Sequence, residues 1–244
     1  MDDIKKIESY VFDAQTHDAL FKLSNSNIID SIDSPISSGK EAVTFLGHLG
    51  TVPLVAKIYK KETSKFKNME KYIKGDFRFK KLGKDKRDIV LAWASKEYKN
   101  LTLALNNGVC CPVPLAREKN ILIMSFIGRD SKSFPMLKDA EFDFEVVYPQ
   151  LVENYAKLLY GAKLVHADFS QYNILIDPQT QKITVIDFGQ AVLHNHPKAK
   201  DFLKRDILNI TRFLKSRFPE RKLTPSLFLE DLKSKKEEIY GRDN

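Results

Sequence analysis

Residues 165–191 read VHADFSQYNILIDPQTQKITVIDFGQA, and this stretch carries the strongest pattern in the chain. It contains two polar clusters, each embedded in apolar sequence. The first cluster consists of His166, Asp168 and Asn173, and the second is the tripeptide Asp187-Phe188-Gly189. Both clusters adjoin short apolar runs, so they are predicted to lie in loops at the ends of strands.

Two short apolar runs connect the clusters. They span residues 173–176 and 183–186, and the turn-forming residues 177–180 separate them. Short apolar runs around an Asp-Pro turn signal are typical of a β-hairpin. Such a hairpin returns Asp187 close to Asn173, although the two residues are fourteen positions apart.

Phosphoryl transfer from a Mg²⁺-bound nucleotide is a reaction that needs this layout. The protein must hold the metal, orient the acceptor and neutralise developing charge. Asp168 is suited to accept a proton from, or orient, an attacking hydroxyl, and Asn173 and Asp187 offer oxygen ligands to a hard cation. Taken alone, an Asp before Phe-Gly is equally a turn residue, and a buried His is equally a core group. The two clusters together, in this order, favour phosphotransfer.

The composition is that of an ordinary soluble globular protein. The 244 residues are 43% hydrophobic and 30% charged, enough for one large domain or two small lobes. The only two cysteines, Cys110 and Cys111, are adjacent, so we expect no disulfide partner and a reducing, intracellular setting. We expect no signal peptide, because the N-terminus is amphipathic and not a basic patch followed by an apolar core. We expect no membrane association, because no apolar run is long enough to span a bilayer. A net charge of +8 weakly favours a polyanionic partner such as RNA.

A candidate phosphate loop lies between two β-prone segments. Its small and basic residues are Ser37, Ser38, Gly39 and Lys40. Small residues let backbone N–H groups approach phosphate oxygens, and the lysine adds positive charge. One glycine is too few for a Walker loop or an ordinary kinase glycine-rich loop, and a plain polar turn is an equal alternative.

A lysine interrupts the apolar run 52–59. Burying Lys57 is costly unless it is paired, and in kinases the corresponding lysine reaches the nucleotide phosphates and is held by a helix glutamate. Glu97, on a helix predicted over 88–105, is the candidate partner. The alternative is an edge strand whose lysine faces solvent.

The segment 60–88 is strongly basic and has interleaved aromatic residues. We predict a loop here. It either contacts RNA or a substrate, through cations and stacking rings, or is a mobile solvated loop, and the two interpretations have equal weight.

Helical periodicity recurs in several other segments. We predict one or two amphipathic helices over 4–23, a helical region over 142–161 that Pro149 interrupts or restarts, a helix over 201–218 with Asp206 as a buried cap or brace, and a final helix over 225–240. A buried strand is predicted over 120–127. His194 and His196 resemble metal ligands, but two imidazoles without a third ligand are more often structural.

Taken together, these segments resemble the RIO family of atypical protein kinases, and its type-one branch most closely. The matching segments run almost end to end: FDAQTHDALFKL, ISSGKEAV, VAKIYK, KYIKGDFRFK, WASKEYKNL, PVP, ILIMSFIG, LVHADFSQYNILI, VIDFGQAV and HNHPKAKDFLKRDILNI. A colinear set of this length is far more specific than any single motif.

The resemblance implies an α+β, two-lobed protein-kinase-like fold in a trimmed version with an N-terminal helical extension. The expected divisions are an extension over 1–33, an N-lobe over 34–128 that includes a basic flexible loop over 60–88, and a helical C-lobe over 129–244. The implied cofactors are ATP and Mg²⁺.

The resemblance also implies a role for each matching residue. Asp168 is the catalytic carboxylate, Asn173 and Asp187 bind the metal, and Asp187 is a possible phospho-acceptor in an ATPase cycle. The ATP-binding residues implied are Ser37, Ser38, Gly39, Lys40, Lys57 and Glu97, with Met124, Ser125, Phe126 and Ile127 in the adenine-binding linker. Ser125 stands where the family usually has an acidic residue, which leaves backbone contacts to adenine unchanged.

The biological setting implied by the family is late cytoplasmic maturation of the small ribosomal subunit, with the pre-40S ribosomal particle, its proteins and its pre-rRNA, as partner. Two alternatives stay open. One is a small-molecule kinase of the aminoglycoside or choline type, which shares the His-x-Asp-x-x-x-x-Asn and Ile-Asp-Phe-Gly patterns. The other is a nucleotide-gated, non-catalytic pre-ribosome-binding module, which the basic segment motivates.

Overall fold

The structure is a computed structural model that describes residues 11–61, 66–79, 83 and 85–241. The predicted helix or helices over 4–23 lie partly outside these residues, as do parts of the basic segment. The chain divides into two compact units, one drawn from Met1–Lys99 and Val113–Ser133 and the other from Asn100–Pro112 and Phe134–Asn244. No helix in the described ranges is long and apolar enough to cross a bilayer.

The first unit is built on a five-stranded antiparallel sheet. Its strands are β1 (Ser31–Ser38), β2 (Ala42–Leu49), β3 (Val52–Tyr59), β4 (Pro114–Glu118) and β5 (Ile121–Ser125), arranged in the order β1-β2-β3-β5-β4. β3 is therefore central, paired with β2 on one side and β5 on the other. This position rules out the edge-strand alternative for Lys57.

Helix α1 (Ala14–Asn25) belongs to the same unit. The side chain of Asp13 accepts the backbone N–H of Thr16 at 2.8 Å and so caps the helix. Buried Ala19 and Leu23 join a hydrophobic core with residues of β2, β3 and β5. The apolar spacing of this segment therefore corresponds to a helix that packs on the sheet.

The basic segment is not simply a loop. Helix α2 (Phe66–Ile73) and a 3₁₀ turn (Phe77–Phe79) lie within it. Met69, Tyr72 and Ile73 are buried, at the i, i+3 and i+4 spacing of a helix face. The prediction of a flexible loop over 60–88 is wrong for α2 and the 3₁₀ turn. It gave weight to the many lysines and not to the three buried residues on one helix face.

Helix α3 (Lys86–Asn106) confirms the predicted long helix, and Gly108, two residues beyond its end, has a φ of +73° that suits a residue without a Cβ. The division between the two units falls within this helix, after Lys99. A two-residue pair, β6 (Gly128–Arg129) with β7 (Lys132–Ser133), completes the first unit.

The second unit is mainly helical. It contains α4 (Phe144–Ala156), continued by a π-helical turn (Lys157–Gly161), α5 (Ala199–Arg217) and α6 (Pro225–Tyr240). The side chain of Thr224 caps α6, and Pro225 occupies the first helical turn, where a missing N–H costs nothing. The predicted helices over 201–218 and 225–240 are confirmed to within two residues.

Pro149 does not interrupt its helix. It lies inside α4, where it removes one backbone hydrogen bond. Val147, Leu151 and Val152 are buried on either side of it, so the packing of this face outweighs the local cost. The prediction of an interruption at Pro149 is therefore wrong.

Two small antiparallel strand pairs flank the loops of the second unit that contain the two polar clusters. β9 (Ile174–Ile176) pairs with β10 (Ile183–Val185), so the predicted hairpin is confirmed. β8 (Leu164–Val165) pairs with β11 (Val192–Leu193). These pairs fix where residues 166–173 and 186–191 begin and end. The proposed domain limits 1–33, 34–128 and 129–244 stay predictions.

Candidate active site

A buried ion pair lies at the centre of the first unit. The Nζ atom of Lys57 on β3 is 2.8 and 2.9 Å from the two carboxylate oxygens of Glu97 on α3. The side chains are 13% and 1% exposed, respectively. Removing either partner would leave an uncompensated buried charge, which is strongly unfavourable. The predicted partnership is confirmed.

Tyr59 adds a third member to this pair. Its hydroxyl donates to the second carboxylate oxygen of Glu97, and its ring lies under Lys57 with Nζ 5.5 Å from the centroid. We name Lys57, Tyr59 and Glu97 the lysine cluster. Sequence reasoning missed Tyr59, although its i+2 spacing from Lys57 on a strand places both side chains on one face.

A second buried cation lies next to Glu97 in sequence. Lys96 is fully buried, and desolvation, followed by the nearby Arg78, lowers the pKa of its ammonium to about 7. Asp76 accepts from Arg78 at 2.6 Å and its charge, like that of Glu97, favours the protonated lysine. Part of the basic segment is therefore tied to the helix that carries Glu97.

The candidate phosphate loop is a tight turn between β1 and β2. Ser37 and Ser38 belong to β1, where they pair with Thr44 and Val43. Gly39 donates its N–H to Ala42 at 2.9 Å and its carbonyl accepts from Lys60 at 2.8 Å. Gly39 and Lys40 are exposed at the turn. The predicted strand–loop–strand is confirmed, and the phosphate-binding role of the loop stays a prediction.

The candidate adenine linker begins at the end of β5. Met124 is buried, and Ser125 exchanges backbone and side-chain hydrogen bonds with Val113, each at 2.9 Å. Phe126 and Ile127 follow the strand and are partly buried. The Ser125 hydroxyl accepts the backbone N–H of Val113, and an acidic side chain at this position could accept the same N–H.

In the second unit, one carboxylate oxygen of Asp168 accepts two side-chain amides. Asn173 Nδ2 and Gln190 Nε2 each lie 3.0 Å from Asp168 Oδ2, and Asn173 Nδ2 also contacts the Asp168 carbonyl at 2.9 Å. We name Asp168, Asn173 and Gln190 the carboxylate cluster. Sequence reasoning placed the first two together and missed Gln190.

Asp206 on α5 braces the backbone around Asp168. It is fully buried and accepts the N–H groups of Ala167 at 2.7 Å and Phe169 at 3.0 Å, and the Tyr155 hydroxyl at 2.8 Å. Burial raises the pKa of the Asp206 carboxyl to about 7, while these donors favour its charged form. The brace holds Ala167 at a φ of +64°, a conformation that costs a non-glycine residue about 1 kcal/mol or more. The predicted buried brace is confirmed.

Asp187 also has a left-handed backbone, with a φ of +63°, and its side chain is exposed. The preceding residue is fixed on both sides: Ile186 donates its N–H to the Asn173 carbonyl at 2.9 Å, and its carbonyl accepts from His166 Nε2 at 3.1 Å. The following Phe188 is completely buried. Asp187 is thus presented to solvent from a fixed backbone at the end of the hairpin.

His194 and His196 lie in different environments, since His194 is exposed. His196 is buried and stacks on Phe202, with ring centroids 6.0 Å apart. Across the described ranges, no three His, Cys, Asp or Glu side chains are grouped as a metal site. The contacts of His196 are those of a structural residue, and the role of His194 stays a prediction.

The chain can now be placed among known proteins. A family model of the RIO domain matches residues 41–227. The chain is 39% identical over 211 residues to the RIO-type serine/threonine-protein kinase Rio1 of Haloferax volcanii, covering 86% of this chain and 72% of that protein. It is 44% identical over 160 residues to the corresponding protein of Thermoplasma acidophilum, covering 66% of this chain and 83% of that protein.

The fold has a close counterpart among crystal structures. The Rio2 kinase–ADP/Mg²⁺–phosphoaspartate complex from Chaetomium thermophilum matches 96% of this chain and 68% of its own, with a TM-score of 0.69 and 23% sequence identity. The class of protein is therefore the α+β, protein-kinase-like one. Within it, the chain belongs to the RIO family of atypical serine/threonine kinases.

The coverage of the relatives differs. The serine/threonine-protein kinase rio1 of Dictyostelium discoideum is 37% identical over 231 residues, which is 91% of this chain and 38% of that protein. The chain thus spans well under half of that relative's length and nearly three quarters of the Haloferax relative's.

Proposed function

We propose that this chain is an ATP- and Mg²⁺-dependent serine/threonine protein kinase with ATPase activity. The observation that carries the proposal is the carboxylate cluster, in which Asp168 and Asn173 are held together beside the hairpin that ends at Asp187. The lysine cluster supports it, because a buried, paired lysine on a central strand is the phosphate-binding group of kinases.

The donor set fits magnesium. Mg²⁺ keeps several waters and takes one or two carboxylates plus substrate phosphates, so a dedicated group of three acidic residues is not required. Asn173 and Asp187 would hold it, as an amide oxygen and an exposed carboxylate that flank the open end of one hairpin. Bound Mg²⁺ neutralises charge that develops on the transferred phosphoryl group.

The remaining roles follow from the contacts of each side chain. Asp168 orients the acceptor hydroxyl and takes its proton, with its own carboxylate held by two amides. Lys57 binds nucleotide phosphates, and Glu97 fixes the position of its ammonium group. Ser37, Ser38, Gly39 and Lys40 cover the phosphates, and residues 124–127 bind the adenine through backbone groups.

Asp187 is further proposed as a phospho-acceptor. The support is the phosphoaspartate in the Chaetomium thermophilum Rio2 complex and the exposed carboxylate on a fixed, left-handed backbone here. The Asp187 carboxylate would attack the γ-phosphorus of ATP while the bond to the β-phosphate oxygen breaks and ADP leaves. Water would then hydrolyse the acyl phosphate to inorganic phosphate and the free carboxylate, which accounts for ATPase activity.

The first test measures ATP turnover by the full chain. We expect phosphate release that requires Mg²⁺ and disappears with EDTA, together with transfer of label from γ-labelled ATP to a serine-containing protein. A chain that releases no phosphate and transfers no label under these conditions would contradict the proposal. Transfer to amino alcohols or aminoglycosides instead of protein would favour the small-molecule kinase alternative.

The proposed partner is the pre-40S ribosomal particle, and the proposed setting is late cytoplasmic maturation of the small subunit. The support is the family and the basic segment, where Lys71 lies on α2 and Lys74 directly follows that helix. We expect the chain to co-sediment with small-subunit precursors, and the double variant Lys71→Gln/Lys74→Gln to do so several-fold less, because cations neutralise RNA phosphates.

The matched control for this test is Lys200→Gln/Lys204→Gln, since both lysines are exposed on a helix, α5, outside the basic segment. Equal co-sedimentation by the two double variants would show that α2 makes no specific contribution. Binding without any ATP turnover would favour the non-catalytic module.

A further inference from the structure

The turn after Asp187 reaches back to the carboxylate cluster. Gln190 Nε2 donates to Asp168 Oδ2 at 3.0 Å, although the two residues are 22 positions apart in sequence. The same oxygen accepts from Asn173 Nδ2 at 3.0 Å. Two amides from different loops thus define the orientation of one carboxylate.

The backbone that carries Gln190 is rigidly held. Ala191 donates its N–H to the Phe188 carbonyl at 3.2 Å, closing a turn around Gly189 and Gln190. Asn100 on α3 donates its side-chain amide to the carbonyls of Phe188 at 3.0 Å and Ala191 at 2.8 Å. Asn100, Phe188 and Ala191 are completely buried, whereas Gln190 is only partly buried. The turn is therefore a fixed support that places the Gln190 amide.

We infer that Gln190 is a positioning residue for phosphotransfer, which orients the Asp168 carboxylate from a turn clamped by Asn100. This inference rests on the proposed function, because it assigns Gln190 a task in that reaction. Gln190 acts through Asp168, to which its side-chain amide donates. Its loss is thus expected to slow the chemical step without weakening nucleotide binding.

The test is Gln190→Met, which keeps the length of the side chain and removes the amide donor. We expect kcat for ATP turnover to fall about 10- to 100-fold, the equivalent of one hydrogen bond to a charged group. The affinity for Mg²⁺–ATP, measured separately by calorimetry, is expected to stay within about twofold of that of the original chain. The control Gln179→Met makes the same change at an exposed position of the hairpin turn and should leave both quantities unchanged.

A second measurement separates positioning from a merely structural role. In an Asp168→Asn background, Gln190→Met should cost little more, because residues that act through one group are not additive. A full additional loss there, or a parallel loss of thermal stability and nucleotide affinity, would overturn the inference. If the original chain turns over no ATP, the proposed function is refuted. If the original chain is active and Gln190→Met has the same kcat, only the inference about Gln190 is refuted.

Discussion

Asp168→Asn is expected to lower kcat for ATP-dependent phosphotransfer by about 10³-fold, within the range that positioned acid–base groups contribute. The amide keeps the size of the side chain but cannot accept a proton from the acceptor hydroxyl. The orientation of the side chain is expected to be kept, because both amide donors converge on Asp168 Oδ2 and the single amide oxygen of asparagine can still accept them. Single-turnover transfer of label to protein measures this step.

Mg²⁺–ATP affinity should survive this substitution, since the proposed metal and phosphate ligands are unchanged. The control is Asp201→Asn, the same chemical change at an exposed carboxylate in the first turn of α5. Unchanged turnover in Asp168→Asn would remove the catalytic carboxylate from the proposal, and a collapse of thermal stability alongside the rate would assign the loss to folding.

Asp187→Asn is expected to abolish measurable turnover, a loss of about 10³-fold or more, because it removes a charged ligand of the metal and the proposed phospho-acceptor together. In contrast to Asp168→Asn, it should also weaken the Mg²⁺-dependent part of ATP binding. A hydroxylamine-sensitive, acid-labile phosphate should form on the original chain during turnover and be absent from this variant.

Asp130→Asn provides a closely matched control. Asp130 is exposed and has a φ of +50°, so the exchange is made on the same kind of left-handed backbone as at Asp187, where asparagine is equally well tolerated. If Asp187→Asn binds Mg²⁺–ATP as tightly as this control, Asp187 is not a metal ligand. A persistent labile phosphate in Asp187→Asn would place the phospho-acceptor elsewhere.

The hairpin and the Lys57–Glu97 pair were predictable, because each follows from a local pattern in the sequence. The hairpin follows from two short apolar runs and an Asp-Pro turn, and its register brings Val185 opposite Ile174. The Lys57–Glu97 pair follows from the cost of burying an unpaired lysine together with a helix that offers one carboxylate. Both inferences use a physical penalty that only a specific partner relieves.

The missed contacts share a different property. Tyr59 contacts Glu97 across 38 positions, Gln190 contacts Asp168 across 22, and Asn100 contacts Phe188 across 88. Neutral amides and hydroxyls carry no charge penalty that marks them in a sequence, and their partners depend on how the loops are placed in space. Apart from the i+2 spacing that places Tyr59 on the same face of its strand as Lys57, a single sequence gives no signal for such pairs.

The two errors in secondary structure have opposite physical origins. In α2, the high lysine content favoured the prediction of a loop, although three buried residues lie on one helix face. In α4, the local penalty of a proline was given too much weight, since the buried residues around Pro149 stabilise the helix through it. Tertiary burial decided both cases, and burial is what a local pattern estimates least well.

The internal pairing within the basic segment limits how strongly it can respond to salt. The guanidinium of Arg78 lies 2.6 Å from the carboxylate of buried Asp76. A cation that already neutralises a protein carboxylate releases few counterions when it meets a nucleic acid, so it adds little to the slope of log affinity against log salt concentration. The ionic-strength dependence of particle binding should therefore correspond to fewer phosphate contacts than the count of lysines and arginines in this segment suggests.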